Sequence, residues 1–177
     1  LNGFVTVESV GLQKVQSSEK KIMREGYGRL LAVDLGLKTA WSVWDGQGRL
    51  VSYDSRRFPN RTKMKSGVWT IVREISDIEV VVAEGDPRIA KIWFACNRDW
   101  ETELVQAVDW RPDLLPSRMR RSGSSAKDHA IEKATLLAQS DGSGPTKPLN
   151  DDLAEAILLG YWAVTRRGWR VWNSLES

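Results

Sequence analysis

The sequence holds one cysteine, Cys96, and one histidine, His129, among 177 residues. A lone thiol excludes a disulfide framework and any multi-cysteine zinc site. A lone imidazole leaves no His-rich metal centre and speaks against a Ser-His-Asp triad. Phenylalanine and tyrosine are scarce, at three each. No apolar run approaches the ~18 residues that a membrane helix needs, so a soluble protein is expected. Leu1 stands where an initiating Met would, so we expect a trimmed or processed chain whose targeting peptide has gone. The length suits one domain that buries its own core without disulfides or a structural metal.

Tryptophan, by contrast, is abundant: Trp41, Trp44, Trp69, Trp93, Trp100, Trp110, Trp162, Trp169 and Trp172. Its ring packs cores and also stacks on bases. Trp41 and Trp44 read as core residues, while the others are open to either role. The net charge of +3 says little, but its distribution says more. Ser55–Arg73 carries Arg56, Arg57, Arg61, Lys63, Lys65 and Arg73 with no acid, and Pro116–Lys127 carries Arg118, Arg120, Arg121 and Lys127 with none. The stretch between them, Glu74–Asp109, is mainly acidic. Segregated basic tracts suit a polyanionic partner, although solvated loops would give the same pattern.

Residues 1–28 lack a firm period and read as a loose N-terminal segment, with a strand near Phe4–Val7. Leu30–Asp34 is a short apolar run and predicts a buried strand. Ala40–Trp44, the turn Asp45-Gly46-Gln47-Gly48 and Arg49–Tyr53 continue it as a meander. The spacing then predicts a helix over Ser66–Ile75, a β-branched strand over Glu79–Ala83 that ends at Glu84, and a long helix over Ile89–Val108. A short fifth strand at Leu114–Pro116, helices over Ser124–Gln139 and Asp151–Val164, and a breaker-rich loop over Ser140–Pro148 follow. The expected architecture is an α/β domain over residues 29–172, with a mixed five-stranded sheet flanked by helices.

Four acids sit at element ends. Asp34 and Glu84 each close an apolar strand, and Asp152 and Glu155 share one face of the last helix. Parallel strands that end together would set Asp34 beside Glu84, with the helix pair above them. Clustered carboxylates repel unless a cation lies among them, and hard oxygen donors suit Mg²⁺ or Mn²⁺. Each acid also has a local reading. Asp34 and Glu84 would serve as turn residues, and Asp152 with Glu155 fits a capping spacing. Asp151 reaches Glu155 as well, at i+4.

Leu30-Leu-Ala-Val-Asp34-Leu-Gly36, the meander, Val-Val-Val-Ala-Glu84 and Asp152-Leu-Ala-Glu155-Ala-Ile-Leu-Leu-Gly together resemble the RuvC-type branch of the RNase H fold. Within that branch the chain is most similar to chloroplast Holliday junction resolvases, from about Leu30 to Gly168. Ser122-Gly-Ser-Ser-Ala-Lys127 resembles that family's basic segment ahead of its final acids, and the family register selects Asp152 over Asp151. The resemblance implies a homodimer that resolves four-way junction DNA by paired symmetric nicks. It also implies that Asp34, Glu84, Asp152 and Glu155 hold two Mg²⁺ ions, with Mn²⁺ as a substitute, while Lys127 steadies the scissile phosphate. Arg56, Arg57, Arg61, Lys63, Lys65, Arg118, Arg120, Arg121 and Lys127 would follow the DNA arms through their phosphates. Location in the chloroplast nucleoid is implied by resemblance alone.

Three other readings share some of these features. Sugar-kinase and actin-type ATPases place Asp-Leu-Gly after a first strand but need two such domains, and this chain is too short for both. A RuvC-like nuclease of structured RNA, or a non-catalytic nucleic-acid binding domain, would share the fold. For the dimer surface, the sequence suggests the Trp-bearing helix Ile89–Val108.

Overall fold

The computed structural model describes residues 28–115, 123–144 and 148–170. The strand expected near Phe4–Val7 and the basic residues Arg118, Arg120 and Arg121 lie outside the described residues. Strands β1 (Arg29–Asp34), β2 (Lys38–Trp44) and β3 (Leu50–Arg57) form an antiparallel meander. The β2–β3 turn is tied by the Asp45 carboxylate, which accepts the Gln47 and Arg49 N–H groups at 2.9 Å each. Gly48 completes that turn at φ +72°, a backbone conformation that costs glycine nothing.

Helix α1 (Arg61–Glu74) begins at Arg61 rather than Ser66, because Asn60 caps it and accepts the Lys63 N–H at 2.9 Å. Strand β4 (Ile78–Glu84) then pairs with β1 in parallel. The single helix expected over Ile89–Val108 is instead three elements: α2 (Pro87–Phe94), β5 (Glu101–Val105) and the start of α3 (Ala107–Leu114). Asn97 breaks the helix by accepting the Asp99 N–H in a side-chain turn. Glu101–Val105 then gains a parallel ladder along β4, a tertiary pairing that outweighs helical spacing in so short a segment. The helix suggested as a dimer surface therefore does not exist as one element. The fifth strand expected at Leu114–Pro116 is a correction too. Leu114 ends α3 and Leu115 is its C-cap, while Pro116 lies outside the described residues. Helices α4 (Gly123–Ser140) and α5 (Asp151–Arg166) complete the chain.

The sheet order is β3-β2-β1-β4-β5, with an antiparallel half, a parallel half and helices on both faces. This is the RNase H-like arrangement. Leu31, Val33, Val43, Val81 and Ala83 face Met64, Val68 and Ile71 of α1 and Trp93 of α2. Leu30, Ala32, Trp44, Val80 and Val82 face α3, α4 and α5. Trp41 and Trp44 are core residues as expected, and Trp93, Trp110 and Trp162 are buried with them.

Helix α5 is buried almost all round, from Ala156 to Val164 without a break, as a central helix must be. Its distance from the sheet is set at Gly160, where an added Cβ would lie 1.9 Å from Trp44 Nε1 and 2.7 Å from Ser42 Oγ. There Trp44 Nε1 donates to Ser42 Oγ at 2.8 Å, and Ser42 Oγ donates to the Ala156 carbonyl at 2.7 Å.

Both sheet edges are covered or charged. Along β5, Arg167 binds Glu101 at 2.8 Å and Glu103 at 2.7 Å, and Arg166 binds Glu103 at 3.1 Å. At β3, Asp141 accepts the Leu50 N–H and Ser143 donates to the Leu50 carbonyl, each at 2.9 Å.

Replacing Gly160 with Ala should destabilise the protein. The helix-propensity gain of about 1 kcal/mol is smaller than the roughly 1–3 kcal/mol of overpacking against a fully buried Trp44. Ser42→Ala should cost about 1–3 kcal/mol by leaving the Trp44 N–H buried without an acceptor. Urea denaturation measures both, and a Gly160→Ala variant as stable as the parent would mean that α5 is free to move off the sheet.

Candidate active site

The parallel register of β1 and β4 sets Asp34 directly opposite Glu84. The two strand ends stay together beyond the ladder, where the Leu35 N–H donates to the Glu84 carbonyl at 2.9 Å. Gly85 permits that closeness: its φ is +127°, and an added Cβ would meet the Leu35 carbonyl at 3.0 Å. Side chains alternate along a strand, and Leu30, Ala32, Val80 and Val82 face α5. Asp34 and Glu84 continue that face at the strand ends.

The capping reading of Asp152 and Glu155 and the turn reading of Glu84 do not hold in the structure. Asn150 caps α5, accepting the Leu153 N–H at 2.9 Å, so Asp152 and Glu155 are free of that duty. Asp86, not Glu84, holds the turn after β4 and caps α2 through the Arg88 N–H at 2.8 Å. Burial and the charges of Glu155, Glu84 and Asp152 together push the Asp34 carboxyl up to about 7. The Glu155 carboxyl is likewise raised, first by burial and then by Glu84, Asp151 and Asp152, against the pull of Arg111. Asp34, Glu84, Asp152 and Glu155 thus form one electrostatic cluster. Asp152 contributes to the field at Asp34, whereas Asp151 is drawn outward to Lys127.

Three cations answer this cluster, each from a different element. Arg111 Nη2 on α3 binds Glu155 Oε2 at 2.9 Å and Glu84 Oε1 at 3.4 Å. Its guanidinium lies 5.4 Å from the centroid of the Trp110 ring, and the Trp110 Nε1–H donates to Glu84 Oε2 at 2.7 Å. Lys38, at the start of β2, pairs with Asp152. Lys127, on the first turns of α4, pairs with Asp151 at 2.6 Å and lies open to solvent. His129 lies 3.5 Å from Glu132 on its own helix.

Arg56 and Arg57 end β3 at the same sheet edge, and Lys63 and Lys65 lie exposed on α1. Arg61 reaches Asp86 at 3.2 Å. Arg111, Trp110 and Lys38 join the site without having been expected there. No spacing links them to the acids, because only the strand order and the α3 turn bring them there.

No family model matches the chain, and no curated protein matches it. Among solved structures it is similar to the large terminase nuclease of thermophilic phage G20c, at 14% identity and a TM-score of 0.42, over 76% of this chain and 81% of that one. It is also similar to the large terminase of another thermophilic bacteriophage, at 11% identity and a TM-score of 0.43. That match covers 81% of this chain and 40% of that one. A third similarity is to the catalytic core domain of BIV integrase, at 9% identity and a TM-score of 0.29, over 78% and 82% of the two chains.

The raised Asp34 carboxyl has a consequence for stability. The folded chain keeps a proton there up to about pH 7, which the unfolded chain releases near 3.8. The resulting stabilisation is full below the unfolded value and lost as pH rises through the folded one. In chelator-containing buffer, the melting temperature of Asp34→Asn should therefore gain on the parent as pH is raised from about 5 to about 8. Arg111→Met should do the opposite, losing more ground at the higher pH because two carboxylates lose their counter-charge. A melting difference that is the same at both pH values would show that Asp34 ionises normally.

Proposed function

We propose that this chain is a divalent-metal-dependent endonuclease that resolves four-way junction DNA. The observation that carries the reading is the meeting of Asp34 and Glu84 at the ends of parallel strands, with Asp152 and Glu155 facing them from α5. The donor set is all oxygen, and Asp34 and Glu155 are both raised by burial among their acidic neighbours, a field that a dication relieves. As they stand, no three acidic, histidine or cysteine side chains among the described residues are gathered closely enough to hold an ion. Arg111 and Lys38 lie on three of the four carboxylates, and both are about one-third exposed, at 33% and 38%, so each has room to turn outward. The chemistry of the set fits Mg²⁺ or Mn²⁺.

Asp34, Glu84, Asp152 and Glu155 would hold the ions. Bound there, they would supply a nucleophile at neutral pH and charge stabilisation for a phosphodiester displacement. The protein's own part is positional and electrostatic. The β1–β4 register fixes two acids, and the contact of α5 with β2 fixes the height of the other two. Lys127, at the mouth beside Asp151 and Asp152, would meet the phosphate and offset its developing charge. Arg56, Arg57, Arg61, Lys63 and Lys65 would bind flanking phosphates, with the salt dependence that such contacts bring. Paired nicks on opposed strands need two such sites, which a homodimer would provide.

One experiment tests the reading. The protein is incubated with Mg²⁺ and, in separate reactions, a four-way junction, a linear duplex and a structured RNA. The parent should nick the junction symmetrically. Asp34→Asn and Glu84→Gln should each lower the rate by more than about 100-fold while still shifting the junction in a gel run with Ca²⁺. Cutting confined to RNA would replace the substrate with RNA, and binding without cutting of any substrate would reduce the chain to a binding domain.

A further inference from the structure

Arg61, Lys65, Trp69 and Arg73 follow one another at four-residue intervals along α1, and all four are exposed. Residues four apart share a helix face, so they form one stripe. The face of α1 that carries Met64, Val68, Ile71 and Val72 is buried against the sheet, and the stripe runs along its border. Trp69 is 46% exposed and is not among the buried residues of that core. Between Lys65 and Arg73 the stripe thus presents a large, partly open aromatic ring flanked by two cations. No acid lies between Asp54 and Glu74, so the stripe itself carries no negative side chain.

The stripe is continuous with the carboxylate edge. Arg61, its first member, is tied to Asp86 at 3.2 Å, and Asp86 follows Glu84 and Gly85 in the chain. At 1.5 Å per residue, Trp69 lies about 12 Å along the helix from Arg61, and Arg73 lies one turn farther. Arg56 and Arg57 extend the positive edge on the other side of Arg61.

We propose that the outward stripe of α1 is a DNA track on which Trp69 stacks an unpaired base, held between phosphates bound by Lys65 and Arg73. Every base presents a π-face, so such a platform binds single-stranded stretches without reading sequence, whereas a fully paired duplex offers it no face. The inference rests on the nucleic-acid part of the proposed function but not on cleavage.

Binding is measured by fluorescence anisotropy in EDTA, with a short labelled single strand of mixed sequence and a blunt duplex of the same sequence. Trp69→Leu keeps the apolar bulk and removes the aromatic face. It should weaken single-strand binding by roughly 10-fold or more, the effect of losing one base stack, with duplex binding nearly unchanged. Trp69→Phe should retain most of the single-strand affinity. Lys65→Gln should lower the salt slope by about 1 on the single strand. Single-strand binding by Trp69→Leu equal to that of the parent, or an equal loss on both DNAs, would overturn the proposal. So would Trp69-dependent binding to phosphatidylserine vesicles with none to DNA. A parent that cuts nothing yet binds single strands through Trp69 would remove the nuclease reading and keep this one. A parent that cuts junctions but is indifferent to Trp69→Leu in binding would do the reverse.

Discussion

Everything at the carboxylate edge depends on how closely one helix lies against one strand. Helix α5 meets β2 at Gly160, where there is no room for a single extra carbon, and Ser42 links the Trp44 indole to the helix backbone. A central helix pinned at its middle cannot slide along the sheet, and its first turn is thereby held over the ends of β1 and β4. The acids of α5 therefore gain their position from residues far along the helix, in the core. Packing density, more than any local feature of the site, sets the spacing of the charges.

That spacing is electrostatically uncomfortable, and the fold answers it with neighbours from separate elements. Arg111 comes from the helix after the edge strand, Lys38 from the start of β2 and Lys127 from α4. Arg111 and Lys38 pair with members of the cluster and Lys127 with Asp151 beside it, while at Asp34 the charges of three neighbouring acids oppose that of Arg111. The site thus concentrates negative field, only partly offset by Arg111, at the meeting point of the two parallel strands.

The parts of this arrangement that were legible in the sequence are those where one local signal dominates. The apolar runs ending in Asp34 and Glu84, the Gly-bearing turn at Asp45–Gly48 and the amphipathic start of α5 each point one way, and each is found in its place. The span Ile89–Val108 carries helical spacing and a strand within it, and only the presence of β4 as a partner decides for the strand. Spacing alone leaves Asp152 between a capping role and a place in the cluster, and Asn150, two residues earlier, resolves it by capping the helix with less charge. Arg111 and Lys38 were illegible for a different reason. The pairing of Arg111 with Glu155 and of Lys38 with Asp152 is a property of topology, and the sequence marks neither end.

The treatment of the sheet edges limits how two copies of this chain can meet. At β5 the outward glutamates are already claimed by Arg166 and Arg167. At β3 the first backbone groups are claimed by Asp141 and Ser143, and the far end carries the charged side chains of Arg56 and Arg57. Growth of the sheet by strand addition, the commonest hazard of an open five-stranded layer, is thus opposed on both sides. Among the described residues, the five-stranded layer is thus closed by charge and side-chain hydrogen bonds at both ends, and the carboxylate edge is left as its open, charged margin.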